Sequence, residues 1–329
     1  MRLTMGSPFL HLSIADWVND QVAAFVQRYG DAFHNFSVLM LRDMLVPLES
    51  LLRATPPIVV LAAVGLLGWH ASRRVGVALL FVALLWLIGS FGLWDKLMQT
   101  FALMMVATLI SVVLGVPLGI LAASSSTLRR VLLPVLDVMQ TLPSFVYLIP
   151  VLMLFGLGKV PAILATVVYA LPPLIRLTDL GIRHVDAEIV EAARAFGTTR
   201  MQLLFGVQLP LARPSIMAGI NQTTMMALSM VVIASMIGSR GLGEDVLAGI
   251  QTLDVGKGTQ AGVAIVILAI VIDRISQGYG QGRRTRGLAR KSKQPSRIPF
   301  RRVREQESEG TDAAKAGELT GKLNSEPAK

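Results

Sequence analysis

Apolar residues in this chain come in long blocks separated by short polar stretches. The blocks run over 56–71, 75–93, 100–123, 132–155, 160–180, 214–237 and 259–275. Each approaches or reaches the roughly 17–25 residues that a helix needs to cross hydrocarbon. The pattern therefore predicts an all-α fold, a polytopic membrane helical bundle of about seven transmembrane helices. The first block is short, but Leu51 and Leu52 can extend it, and the Pro56–Pro57 pair suits a helix start. Upstream the period changes. Ile14, Trp17, Val18, Val22, Phe25, Tyr29, Phe33 and Phe36 recur mostly every three or four positions, with Asp16, Asp20, Gln27, Arg28 and Asp31 off that stripe. This predicts an amphipathic helix lying along the membrane surface or against the bundle.

The short loops set an orientation, because Lys and Arg collect on the cytoplasmic side. With the C-terminus inside, Arg73–Arg74, Arg129–Arg130 and the 181–213 loop (Arg183, Arg194, Arg200, Arg213) all fall inside. The loops left outside carry Lys96, Lys159, Arg240 and Lys257. Seven spans then place the N-terminus and residues 1–55 outside, and removing any one span would put a basic pair on the wrong side.

Composition agrees. Of 329 residues, 53% are apolar and 16% charged, against about a quarter charged in soluble domains, and the mean hydropathy is +0.60. The N-terminus lacks a basic start followed by an apolar core, so it is not expected to be a cleaved signal peptide. The net charge of +10 is concentrated at the end. From Arg274 onward there are 14 Lys and Arg against 6 Asp and Glu, and Arg283 to Arg304 contains no acid. A basic stretch just after a span suits anionic lipid better than nucleic acid, and no nucleic-acid partner is expected. The final stretch, EQESEGTDAAKAGELTGKLNSEPAK, has the composition of a disordered segment.

Several chemistries are excluded. There is no cysteine, hence no disulfide or thiolate site. No GxxxxGK[ST] phosphate loop is present, since the segments around Lys159 and Lys257 lack both the leading glycine and the following Ser or Thr. His11, His34, His70 and His184 are scattered without metal-ligand spacing. No enzymatic activity, bound cofactor or metal is expected. Ionisable groups within spans, the mark of an ion-coupled transporter, cluster near span ends. Asp137 is the exception: it either lines a transport path or is held near the cytoplasmic end by Gln140 and Thr141. Transport by this chain would thus draw its energy from another subunit.

One charged segment interrupts the spans. Residues 188–210 read EIVEAARAFGTTRMQLLFGVQLP. Asp186 can cap a helix from Ala187 to Phe196, with Glu188 in its first turn, and Gly197 suits the left-handed position after it. Thr198 can cap a second short helix, Thr199 to about Val207, closed by Pro210. Such a pair forms a cytoplasmic knob whose Ala192 and Ala193 face permits close approach by another protein; a solvated connector is the alternative. In span 214–237, Asn221, Gln222, Thr223, Thr224, Ser229 and Ser235 are polar groups that should avoid lipid. Met217, Met225, Met226, Met230 and Met236 add adaptable packing. These residues suit either a weakly polar translocation path or ordinary interhelical hydrogen bonding.

The EAA-RAF-G run, followed nine residues later by VQLP, resembles the EAA loop of permeases in ATP-binding-cassette importers, EAAxxxG(x9)IxLP, with Val207 at the isoleucine position. DVMQTLPSFVYLIPVLMLFGLGKVPA, the stretch from QLPLARPSIMAG to DVGKG, and AIVILAIVIDRI are similar to permeases for glycine betaine, proline betaine and choline. The resemblance covers roughly residues 95–280 and the segment near Trp17. It implies a type I importer permease core over 95–280, preceded by two helices in 56–94, with the 281–329 tail outside the pattern. It also implies ATPase coupling through Glu191, Ala192, Ala193, Gly197, Leu209 and Pro210. Asp137, Gln140, Asn221, Gln222, Ser229 and Met230 are candidates for the path.

The partners implied are a second copy of this chain in a homodimer, two ATPase subunits that bind ATP, and an external substrate-binding protein. That protein would hold the quaternary ammonium cargo in an aromatic box; all four tryptophans here precede residue 95. GLGEDVLAG, residues 241–249, would lie outside, where it could touch the binding protein. The same machinery carrying another amino acid or osmolyte, and an ion-driven secondary transporter, are the alternatives.

Overall fold

A computed structural model of the protein describes residues 14–280. The basic tail, which was read as a lipid anchor, lies outside the described residues. Among those described, every element is helical. The N-terminal stripe forms α1 (Ile14–Met40), which runs through a π-helical turn (Leu41–Leu45) into α2 (Val46–Ala54). Then follow α3 (Pro57–Ser72), α4 (Val75–Ser90), α5 (Trp94–Ser124), α6 (Ser126–Thr141), α7 (Ser144–Phe155) and α8 (Lys159–Arg183). After α9 (Ala187–Ala195) and α10 (Arg200–Leu203), a π segment (Leu204–Gln208) leads into α11 (Leu209–Ala234). A kinked turn (Ser235–Ser239), α12 (Leu242–Thr252) and α13 (Val255–Gly280) complete the described chain.

Each apolar block falls on helix, but the blocks differ in geometry. Four helices are long and apolar enough to span alone: 94–124, 159–183, 200–239 and 255–279. The block 132–155 is broken: α6 and α7 meet at 98°, because Pro143 forces Leu142 into an extended conformation (ψ 134°). The helix ending at Ala54 meets α3 at 102°, at the Pro56–Pro57 step. Helix α4 has 16 residues, about 24 Å at 1.5 Å per residue, short of a full hydrocarbon core.

The centre is α8, packed between α5 and α11. Between membrane helices there is little hydrophobic drive, so close backbone approach through small residues supplies dispersion energy instead. Gly115 and Gly119 of α5 face Leu174 and Thr178 of α8. Gly181 of α8 faces Ser215 of α11, and Gly219 of α11 faces Leu174. Around this centre Leu103, Ile163, Val231 and Ala264 are buried in one apolar core. On the side of the bundle where α5 and α8 begin, charges lock the periphery. Lys159 donates to the buried Glu49 of α2 at 2.6 and 2.7 Å, and Lys96 donates to the buried Asp245 of α12 at 2.7 Å. Helix α2 is tied in by Glu49, and the N-terminal helix α1 before it by Phe33 packing edge-on to Phe155, with ring centres 5.1 Å apart. The rest of its aromatic stripe (Trp17, Phe25, Tyr29, Phe36) is exposed.

A side chain at Gly119 would bring Cβ to 2.5 Å from Thr178 Cβ and 2.9 Å from the Ile175 carbonyl oxygen. Gly119→Leu is expected to destabilise the bundle by at least the about 1–3 kcal/mol typical of overpacking, seen as a lower melting temperature in detergent. Gly30→Ala, with nothing within 4 Å of the new Cβ, should leave it unchanged or raise it.

Candidate functional site: a projecting loop on a clamped base

The loop is built as a short helix, a corner and a long helix. Asp186 accepts a hydrogen bond from the Glu188 N–H at 3.0 Å and opens α9. At the other end the Gly197 N–H donates to the Arg194 carbonyl at 2.9 Å and the Thr198 N–H to that of Ala193 at 3.4 Å. This pair of bonds is the Schellman arrangement, and it requires the positive φ of +79° found at Gly197. The Thr198 hydroxyl also donates to the Ala193 carbonyl at 2.8 Å.

Two expectations for the second half are corrected. The residue capping the second helix is Thr199, not Thr198, in a reciprocal capping box with Gln202; Thr198 is already committed to Ala193. Nor does Pro210 close a short helix, since 200–239 reads as one 40-residue span candidate. The π turn at Leu204–Gln208 shifts the register, with the Leu209 N–H donating to the Leu204 carbonyl. Pro210 then enters in the first turn of α11, where a missing N–H is tolerated.

Of the six residues matched to the motif, Glu191, Ala192, Gly197 and Pro210 are exposed, and Ala193 and Leu209 are half-buried. Helix α9 buries none of its residues. The most exposed apolar group on the knob was not singled out from the sequence: Phe196 is 90% exposed. Ile189, Met201 and Phe205 are exposed as well. The position of Phe196 at a helix C-cap, in a segment too charged for hydrocarbon, was the available signal.

The base of the knob is held by charge. Asp179, buried near the end of α8, accepts from Arg129 Nε of α6 and Arg183 Nε of α8, both at 2.9 Å. Arg183 also donates to the Ala122 carbonyl of α5 at 3.3 Å. One carboxylate thus joins α6 and α8, with α5 attached through Arg183, within a few residues of where the loop begins. Asp179 is one of the ionisable groups near span ends, and nothing in its spacing marks the clamp.

The candidate path residues do not form one cluster. Asp137 is exposed and pairs with Arg176 of α8, rather than with the neighbouring Gln140 and Thr141. Gln140, Gln222 and Ser229 are exposed, and the Ser229 hydroxyl donates to its own helix at the Met225 carbonyl. Asn221 donates to Asp273 of α13 at 3.2 Å and accepts from the Ser276 hydroxyl, while Gln277 donates to both Asp273 oxygens. Met230 is fully buried beside Tyr147, Ala165 and Ala234. Residues 241–249, expected outside, open α12, whose Leu242, Gly243 and Asp245 are buried. Among the described residues no group of three or more His, Asp and Glu is arranged to hold a metal.

Residues 115–282 match the family described as "Binding-protein-dependent transport system inner membrane component". The chain is 46% identical over 279 residues to the glycine betaine/proline betaine transport system permease protein ProW of Escherichia coli (strain K12), covering 85% of this chain and 78% of that one. It is 48% identical over 234 residues to the glycine betaine transport system permease protein OpuAB of Bacillus subtilis (strain 168), covering 71% and 83%. Among solved structures it is similar to an inward-facing MetNI methionine ABC transporter, with a TM-score of 0.52, 22% identity, and coverage of 57% of this chain and 94% of that one. That likeness concerns the fold, an all-helical membrane bundle.

Asp179→Asn would leave two guanidinium groups beside a neutral amide. Breaking a buried pair from one side costs about 3–5 kcal/mol, and the loss should sit at the low end because the Arg129 and Arg183 side chains are 39% and 36% exposed. A lowered melting temperature is the expected reading, with a smaller drop for Asp137→Asn, whose side chain is 64% exposed.

Proposed function

Because the chain belongs to the family of binding-protein-dependent transport system inner membrane components, we propose that it is the permease of an ATP-binding-cassette importer for quaternary ammonium osmolytes. Glycine betaine, proline betaine, choline and carnitine make up the cargo class, on the strength of relatives named for glycine betaine transport. The observation that carries the reading is the α9 knob: a helix with no buried residues, turned at Gly197 and ending in an almost fully exposed Phe196. A helix built this way is unfinished by itself, and the ATPase subunit is the partner that completes it.

The assembly is a homodimer of this chain with two ATPase subunits and an external binding protein, and ATP is bound and hydrolysed in the ATPase subunits. ATP draws the two ATPase subunits together, the knobs move with them, and the bundle opens outward; hydrolysis resets it. Such coupling requires only that the knob fit its cleft differently in the two states. Force on α9 enters α8 at the Asp179 clamp and enters α11 directly through the 200–239 helix. Glu191, Ala192, Ala193, Gly197, Leu209 and Pro210 form the coupling segment. Along the path, exposed Gln140, Gln222, Ser229 and the Asp137–Arg176 pair are open to a passing solute, whereas Asn221 and Met230 are committed to helix packing.

Reconstituted in proteoliposomes with its ATPase and binding protein, the chain should support ATP-dependent uptake of radiolabelled glycine betaine. Gly197→Val should reduce uptake about tenfold, within the 5- to 150-fold range of typical coupling energies, because a β-branched residue resists positive φ. Nothing lies within 4 Å of the Cβ position, so Gly197→Asn, which tolerates that conformation, should retain most activity. Full uptake by Gly197→Val, or uptake driven by an ion gradient without the ATPase, would overturn the reading.

A further inference from the structure

Helices α3 and α13 touch at one point and then diverge. At that point Gly278 lies so close to α3 that a Cβ on it would sit 2.5 Å from Ala71 Cβ and 3.1 Å from the Ala71 carbonyl oxygen. Away from the crossing the helices separate and leave a cleft of about 230 Å³, backed by α4 and α5. Val64, Leu67, Leu85, Phe101, Val271 and Ile275 are among its walls. Taking about 30 Å³ as the share of a water-sized group, the space takes on the order of eight such groups. Water has almost nothing to bond to there, since Ser276 is the one polar residue in the lining and its hydroxyl is engaged by Asn221 and Asp273. In a bilayer the available filler is hydrocarbon, which restores the dispersion contacts that a void forfeits.

The crossing end of the cleft carries positive charge. Arg73 and Arg74 follow α3 and Arg274 precedes Gly278; all three are exposed. None of the three enters an ion pair among the described residues. Beside the crossing, His70 Nδ1 lies 3.1 Å from the Tyr279 hydroxyl, and the two rings stack with centres 5.5 Å apart. The nearby acid, Asp273, is taken up by Asn221 and Gln277. Helix α12 follows the end of α11 farthest from the coupling loop, and Gly249 meets Gly258 at the start of α13. Helix α13 therefore ends on the coupling-loop side. Topology by itself accounts for basic residues at that end; an apolar cleft opening next to them is the additional feature.

We propose that this cleft is a binding site for one anionic phospholipid. An acyl chain fills the gap between α3 and α13, and the phosphate headgroup is held at Arg73, Arg74 and Arg274, with the His70–Tyr279 pair at the interface. The lipid braces the α3–α4 hairpin against α5 and α13. The inference needs the chain to lie in a bilayer and does not depend on its cargo.

The test uses the full chain with its ATPase subunits in nanodiscs containing trace diazirine-tagged phosphatidylglycerol or phosphatidylcholine, with label sites mapped by mass spectrometry. Phosphatidylglycerol should label residues 60–67 and 268–276 several-fold more than phosphatidylcholine. R73Q/R74Q should bring the two lipids to equal labelling. Val64→Trp, which fills the cleft, should abolish labelling there, while Val64→Ala, which leaves it open, should retain it, so a folding defect in the tryptophan variant does not decide the result. Equal labelling of the unaltered protein by both lipids, an unchanged ratio in R73Q/R74Q, or label confined to other helices would each overturn the proposal.

Discussion

The Asp179 carboxylate is almost fully buried, and the guanidinium groups that neutralise it come from two different helices. A charge in that position is tolerable only while both partners stay in place, because an unpaired buried carboxylate carries a desolvation penalty of several kcal/mol. The penalty makes the junction stiff: α6 cannot drift from α8 without exposing the carboxylate or leaving it short of a donor. Since α9 begins a few residues later and buries nothing of its own, the base of the knob inherits its position from this clamp. Sequence-distant parts of the bundle thereby respond together to whatever grips the knob.

Stiffness at the clamp is extended upward by glycine. Close approach at Gly115, Gly119, Gly181 and Gly219 lets α5, α8 and α11 pack nearly backbone to backbone, and packing this dense has discrete arrangements rather than a soft continuum. The bent pair α6–α7 differs. Its corner at Leu142–Pro143 is bridged by the Tyr147 hydroxyl, which donates to the Met139 carbonyl, and much of its surface (Val135, Val138, Phe145, Ile149) is exposed.

What could be read from the sequence follows from which interactions are local. Helical blocks, the Asp186 cap and the left-handed turn at Gly197 depend on residues within a few positions of one another, and all three were legible. The bend at Pro143 was missed because an apolar run reads as continuous whether or not the helix within it is straight. Pro210 was misread for the complementary reason: a proline usually stops a helix, but a π turn just before it shifts the register. The Asp179 clamp and the Asp137–Arg176 pair join residues 50 and 39 positions apart, and no periodicity announces such contacts. Beyond the charge of its segment, Phe196 carries no local mark of its exposure, which follows from α9 burying none of its residues.

The distribution of aromatic rings bears on where cargo is chosen. Trp17, Trp69 and Trp86 are more than half exposed and sit on three different helices, and Trp94 belongs to the start of α5. The first three rings are exposed while Trp94 packs half-buried against the core, so the four tryptophans do not form one cage. A quaternary ammonium ion gains most from desolvated aromatic faces, and a path that gave it such a cage would hold what it must release. Conduction requires affinity high enough to admit a solute and low enough to let it go. Under the proposed function, exposed amides such as Gln140 and Gln222 give the path walls that meet that condition. Under the proposed function, selectivity then rests with the external binding protein, and the membrane chain contributes passage and its coupling to the ATPase.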